Sequence, residues 1–440
     1  MAKAKRTRES DSVRLICSDC SAARHLGPGA HSHRKPLDSG KTAQELVSRL
    51  YEDILRGECA VFVGAGCTTE GGRSSHSGSF YEEILAKCKY PSGAPAPAFP
   101  DLMEYFCEHM DGGQHNRLIR EALSRIERFS VPGDDNTFAT MFGEELAEVP
   151  YFTRFVTTNW DPFLERSLET LISIIEDRDL AFWDDRKRQV LKIHGCITRP
   201  YSLVATKTDY DNCVARNPLI FNKLKDLMAT KTFIFVGYSL RDPDFREIWE
   251  GITSSLGRFA KLAYAVDPHA SPEDVTYWKD RGIEIFGTSD LAFVRELRRR
   301  LEVEGLVASR QLLEFLRRER GRIARTHLRL RQTSDGALAS AMYQDGLLHA
   351  LDDVLIPTGL GTRKKESFNQ DLAEADSTLL HMLQREDAIE IAYWTGRREA
   401  TKAFCSGRIK RIPTYIHPYR LKPVPKFVRG HRWPARLFKE

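Results

Sequence analysis

Residues 59–66 read Cys-Ala-Val-Phe-Val-Gly-Ala-Gly, a short apolar run that ends in glycines. Such a run predicts a buried strand whose exit turns tightly, because Gly64 and Gly66 carry no Cβ and let the backbone bend and approach another group closely. The full GxGxxG spacing is absent, so this stretch alone leaves open whether the exit serves a nucleotide or only a tight turn. Upstream, Ala43, Leu46, Val47, Leu50, Ile54 and Leu55 recur at helical spacing and predict a helix that starts near Thr42 and leads into the strand.

Downstream, strand-like runs alternate with longer helical stretches. FVTTNWD (155–161), VLKIHG (190–195), FIFVGYS (233–239), LAYAVD (262–267) and IEIFG (283–287) are β-rich, and several are bounded by Gly, Pro or Asp. This alternation predicts a Rossmann-like α/β domain, a parallel sheet with helices on both faces. PSGAPAPAFP (91–100) is too rich in proline for either element and reads as a loop or insert boundary. After Leu291 the sequence turns to Arg-rich helix, and 336–404 reads as mostly helical.

The expected organisation is therefore a flexible arm over 1–40, an α/β domain over 41–290, an Arg-rich helical connector over 291–335 and an accessory region over 336–440. The chain's 440 residues exceed what one core usually holds, and there is no apolar run of 18 or more residues. The opening MAKAKRTRES lacks the apolar segment of a secretory signal, so a cytoplasmic protein is expected. Nine cysteines, scattered and odd in number, make no disulfide framework. Cys17-x-x-Cys20 with His25, His31 and His33 fits no standard zinc spacing, and no metal is expected. Net charge is +5, but residues 405–440 hold ten Lys or Arg against one acid. With Tyr415, Tyr419, Phe427 and Trp433 among its cations, that extended tail fits nucleic acid or a docking partner.

Chemistry collects at the strand exits. In Thr157-Thr158-Asn159-Trp160-Asp161 an amide and a carboxylate stand two residues apart where a strand emerges, within reach of a ribose or an amide. The same residues would serve equally to cap a helix over 162–172. In Lys192-Ile193-His194-Gly195 a histidine follows an apolar run and has the right proton affinity for a general base, or is structural. Gly237-Tyr238-Ser239 and Asp267 close two further strands.

The ordered set GAG, TTNWD, KIHG, VGYSLRDPD and AVD over roughly 45–290 resembles the sirtuin-like family, in particular its bacterial branch of antiphage-defence NAD hydrolases. The resemblance implies that NAD is the substrate, cleaved to nicotinamide and ADP-ribose. It implies that Gly64, Ala65 and Gly66 contact the pyrophosphate. Asn159 would hold the nicotinamide ribose or position water, and His194 would be the base. Asp161 would lie at the nicotinamide end, with Thr158 among the cofactor-binding residues where many members have Gln. Gly237 and Ser239 would line the adenine-ribose side, with Asp267 beyond them. Cys67-Thr68-Thr69-Glu70-Gly71-Gly72 departs from the usual cofactor loop.

Deacylating members carry two Cys-x-x-Cys pairs between the His-Gly and the next glycine motif, whereas only Cys196 and Cys213 lie there. Deacylation is therefore disfavoured; a nucleotide-binding scaffold without turnover is the other alternative. An NAD-depleting enzyme of abortive infection requires control, so a homo-oligomer, nucleic acid, or a partner such as an ATPase or helicase is expected.

Overall fold

The computed structural model describes residues 42–69, 79–88, 90, 97–109, 114–130, 137–168, 171–240, 243–330, 338–355, 365–385, 387–407 and 410–414, with two residue pairs, 15–16 and 23–24, in antiparallel register. Two compact units are present, residues 1–297 and 298–440.

The first unit is built on seven strands: β1 (Cys59–Val63), β2 (Arg154–Thr157), β3 (Ile172–Ile174), β4 (Gln189–Lys192), β5 (Thr232–Val236), β6 (Ala263–Val266) and β7 (Ile283–Phe286). They lie in the order β3-β4-β2-β1-β5-β6-β7, every pair parallel. All residues of β1, β2, β4 and β5 are buried, as expected of strands covered on both faces. From β1 the chain moves to one side of the sheet and later returns to β5 on the other. The carboxyl ends of β1, β2, β4 and β5 thus meet at a topological switch point, where open α/β sheets leave a crevice.

Helix α1 (Ala43–Leu55) precedes β1, its first turn capped by the Thr42 hydroxyl, which accepts from Glu45 N–H at 3.2 Å. Between β1 and β2 stand four helices, α2 (Phe80–Cys88), α3 (Phe99–His109), α4 (Gln114–Ser130) and α5 (Thr137–Ala147). Ile84, Leu102, Met103, Phe106, Leu118 and Phe129 of α2–α4 form an apolar cluster of their own with Phe163, Ile197 and Leu203, so the insertion is fastened over the strand exits. The remaining crossovers are α6 (Phe163–Ser167), α7 (Lys207–Arg216), α8 (Pro218–Thr230), α9 (Pro243–Leu256) and α10 (Pro272–Lys279), with α11 (Asp290–Val303) after β7.

One expected helix is shorter than its sequence pattern. The run 162–172 stops at Ser167, and Ile172–Ile174 joins the sheet as an edge strand beside β4. Ile-Ser-Ile alternates with period two and is β-branched at both apolar positions, which favours the pleated edge over another helical turn.

The second unit is helical: α12 (Arg310–Leu330), α13 (Leu338–Leu355), α14 (Lys365–Arg385) and α15 (Ala388–Ser406). Leu316, Tyr343, Leu347, Leu351, Ile391 and Phe404 form its core. Helices α13 and α15 approach closely because Gly346 and Gly396 each face the other helix's backbone. Residues 415–440, which hold most of the basic tail, lie outside the described residues, as do Cys17, Cys20, His25, His31 and His33. Among the described residues no helix is long and apolar enough to cross a membrane.

Candidate functional site

The exits of β1 and β5 are packed backbone to backbone. Gly64 N–H donates to Val236 O at 2.9 Å and Gly66 N–H to Gly237 O at 2.9 Å. A Cβ on Gly64 would strike the Gly237 carbonyl and sit 2.6 Å from Tyr238 Cα; on Gly66 it would lie 2.8 Å from Gly237 O. Gly237 has φ +60°, and a Cβ there would meet Cys67 N at 2.5 Å. The glycines are thus required for the contact between two loops. Cys67 and Thr68 N–H donate to Gly64 O and Ala65 O, so most donors of this turn are engaged within the protein.

The exit of β2 is held by a chain of short polar contacts. The Thr157 hydroxyl donates to Val63 O at 2.7 Å and accepts from Asn159 N–H at 3.0 Å, which ties Asn159 to the end of β1. The Asn159 amide donates through Nδ2 to the Thr68 hydroxyl at 3.2 Å, and Thr68 donates to Asp161 Oδ2 at 3.0 Å. The polarity of this chain sets the amide: Thr68 gives its one proton to the carboxylate, so it can only accept from Asn159, and Oδ1 is turned the other way. That Oδ1 is buried and has no hydrogen-bond partner among the described residues. A buried acceptor left this way is costly unless a ligand or water completes it.

Asp161 both caps a helix and faces the site. Its Oδ1 accepts from Phe163 N–H at 3.0 Å at the start of α6. Burial pushes its carboxyl above the ordinary range, against the pull of Lys192, the Phe163 N–H and the Thr68 hydroxyl. Lys192, 1% exposed, donates to Asp161 O at 2.7 Å and pairs with Glu165 at 3.0 Å. Burial alone would lower the Lys192 ammonium; the Glu165 and Asp161 carboxylates outweigh it and hold it above its ordinary value of 10.5. Its charge is therefore complete at neutral pH, and its contribution to stability is lost only as pH rises through that elevated value. Glu165→Gln strands this ammonium and Lys192→Met strands the Glu165 and Asp161 carboxylates, and each is expected to cost about 3 kcal/mol. Urea unfolding of the two variants measures the losses, and a loss under about 0.5 kcal/mol in either would contradict the pairing.

His194 follows β4, 3% exposed, with Gly195 at φ +78° turning the chain behind it. The Tyr210 hydroxyl of α7 lies 3.5 Å from His194 Nδ1, and the two rings meet edge to face at 4.9 Å. Ala65, Thr158, Asn159, Asp161 and His194 all line one cavity of about 270 Å³. Its other walls are apolar and aromatic: Phe80, Tyr81, Phe99, Ala122, Ile126 and Trp160, joined by Thr69, Arg125 and Tyr210.

Five of the site residues expected from the sequence line this cavity. Gly64, Gly66, Gly237, Ser239 and Asp267 are not among the lining residues. Ser239 is exposed, and Asp267 Oδ1 accepts from His269 N–H at 2.8 Å in its own turn. The insertion's contribution went unread. A signal for part of it exists: Leu118, Ala122, Arg125 and Phe129 fall on one helical stripe, and a charge within an apolar stripe marks Arg125. Among the described residues, no three His, Cys, Asp or Glu are grouped to hold a metal ion.

Residues 153–286, which contain Asn159, Asp161, His194, Gly237, Ser239 and Asp267, match the family model described as the SIR2-like domain. Over that segment the chain is similar to the SIR2-like domain. It is 26% identical over 225 residues to "NAD(+) hydrolase ThsA" of Bacillus cereus (strain MSX-D12), covering 49% of this chain and 44% of that protein. The same-named protein of Cytobacillus dafuensis is 28% identical over 228 residues, covering 50% and 42%. "Defense-associated sirtuin 2" of Bacillus subtilis is 24% identical over 145 residues, covering 31% and 14%. The matches thus span less than half of each relative's own length. The SIR2-like match holds the β2, β4, β5 and β6 exits, whereas Gly64–Gly66 and the helices α2–α5 precede it.

Proposed function

We propose that the chain is an NAD+ hydrolase that cleaves the nicotinamide–ribose bond to give nicotinamide and ADP-ribose, acting in the bacterial cytoplasm as an NAD-depleting effector of antiphage defence. The observation that carries this reading is the buried Asn159 Oδ1, without a hydrogen-bond partner among the described residues, on the wall of the same apolar cavity as His194. The names of the relatives from Bacillus cereus and Cytobacillus dafuensis support the substrate.

In this reading the nicotinamide riboside half occupies the cavity, against Phe80, Phe99 and Trp160. As the C1′–N1 bond breaks, the pyridinium takes the bonding electrons and leaves as neutral nicotinamide, so no acid is needed at the leaving group. Water adds to the cation-like C1′, and its proton passes to His194. Asn159 Oδ1, fixed as an acceptor by Thr68, takes a hydrogen bond from that water or from a ribose hydroxyl, which orients the attack. The apolar walls exclude bulk water and strengthen these contacts. Ala65 lines the nicotinamide side, Gly64 and Gly66 present Cα surface to the pyrophosphate, and Gly237, Ser239 and Asp267 lie along the adenosine side. Residues 1–40, 291–335 and 336–440 precede and follow this hydrolase domain along the chain as arm, connector and accessory region, and control comes from oligomerisation or a partner docked on them.

Incubation with NAD in water enriched in ¹⁸O tests the reaction. The expected ADP-ribose carries one heavy oxygen from solvent and forms in step with nicotinamide. Recovery of intact, bound NAD would instead favour a non-catalytic scaffold. Thr68→Val, which removes the group that orients Asn159, is expected to slow release by roughly tenfold while the protein stays folded, as read from initial rates and thermal melting.

A further inference from the structure

Arg125 is a buried cation on the helical wall of the cavity. It is 3% exposed, on the apolar stripe of α4, and packs its guanidinium 5.3 Å from the Phe129 ring centre. Its Nη2 donates to Thr69 O at 2.8 Å and its Nη1 pairs with Glu83 of α2. Glu83 also pairs with Arg128 at 2.7 Å, so two cations share one carboxylate. Among the described residues lining the cavity, Arg125 is the one Lys or Arg, and Asp161 is the one carboxylate. Burying a guanidinium in an apolar wall costs free energy, and an anion that enters the cavity would be drawn to it.

Two features make that anion a phosphate. The glycine turn after β1, which the sequence offers as the pyrophosphate cradle, has the N–H groups of Gly64, Gly66, Cys67 and Thr68 bonded to Val236, Gly237, Gly64 and Ala65. The charge of a pyrophosphate must then be met elsewhere. The nicotinamide mononucleotide half of NAD is also a zwitterion, a pyridinium joined through ribose to a phosphate. A cavity with an acidic residue at the strand exit and a guanidinium on the inserted helix matches that pair of charges. Arginine suits phosphate through its planar fork of donors.

We propose that Arg125 receives the nicotinamide-side phosphate of NAD, making it a specificity-determining residue that selects phosphorylated nicotinamide ribosides. This rests on the reading of the chain as an NAD hydrolase. The bond from Arg125 Nη2 to Thr69 O holds the guanidinium and couples it to the turn that carries Thr68.

Turnover of NAD, nicotinamide mononucleotide and nicotinamide riboside by wild type, Arg125→Gln, Arg125→Lys and Glu83→Gln tests the assignment. Arg125→Gln is expected to raise KM for the two phosphorylated substrates by roughly 10- to 100-fold, the scale of a charged hydrogen bond. The riboside, which lacks the phosphate, should show no comparable loss, and Arg125→Lys should recover part of it. Glu83→Gln removes a competing carboxylate and should leave KM for NAD unraised. Equal losses on phosphorylated and unphosphorylated substrates, or Glu83→Gln matching Arg125→Gln, would show that Arg125 is only structural and overturn the proposal. If wild type cleaves none of them, the hydrolase reading fails, and calorimetric titration with NAD and nicotinamide riboside still decides the phosphate contact. NAD affinity lost only in Arg125→Gln supports it; unchanged affinity, or no NAD binding to wild type, overturns it.

Discussion

Asn159→Ala is expected to remove roughly 10³-fold or more of nicotinamide release while NAD still binds, the scale for deleting a group that orients or stabilises the reacting centre. The expectation follows from the hydrogen-bond polarity around the residue. Thr157 fixes its backbone, Thr68 fixes its amide, and the oxygen is left as a buried acceptor. Thr68 lies on the Nδ2 side of the amide, so it does not stand where Oδ1 accepts. Asn159→Asp should fail as well, because a carboxylate oxygen would replace the donor that faces Thr68 and place a second acid beside Asp161. Initial rates with NAD, read beside calorimetric affinities, separate lost chemistry from lost binding. An Asn159→Ala variant that turns NAD over within tenfold of wild type would remove Asn159 from the mechanism.

Gly64→Ala should cost about 3 kcal/mol or more and abolish activity, whereas Gly57→Ala should cost about 1 kcal/mol and leave activity near wild type. The two glycines differ in kind. Gly57 has φ +71° but open space around it, so alanine there meets only the left-handed backbone penalty. A Cβ on Gly64 meets the backbone of Gly237 and Tyr238, which no rotamer change can relieve, and Gly237, at φ +60°, could itself take no Cβ without meeting Cys67. The substitution therefore separates the β1 and β5 exits, and with them the position of Thr68 behind Asn159. Urea unfolding gives the two costs, and similar values for both variants would show that the loop contact is not what fixes glycine at position 64.

The strand exits were legible in the sequence because buried parallel strands are continuous apolar runs, and because Gly, Asn, Asp and His are conspicuous at their ends. Asn159, Asp161 and His194 were found this way, and they do meet at one cavity. Asp161 also showed why capping and site readings need not compete, since one oxygen caps α6 and the other joins the Asn159 network. Less was visible where the chemistry is ordinary. Phe80, Phe99, Ala122 and Ile126 look like any helix core, and only their placement over the strand exits makes them cavity walls. The edge strand Ile172–Ile174 is too short for its alternation to stand out from the preceding helical pattern. Gly64 and Gly66 are fixed by the close approach of their turn to the β5 exit. That long-range contact has no local sequence signal.

Chromatography of nicotinamide and ADP-ribose from NAD, run for wild type, Asn159→Ala and His194→Ala together, is the most direct test of the account. Equimolar release by wild type, lost in both variants while both still bind NAD, is the predicted result. Release that persists unchanged in both variants would place the chemistry outside the cavity formed by Asn159 and His194, and would contradict the account at its centre.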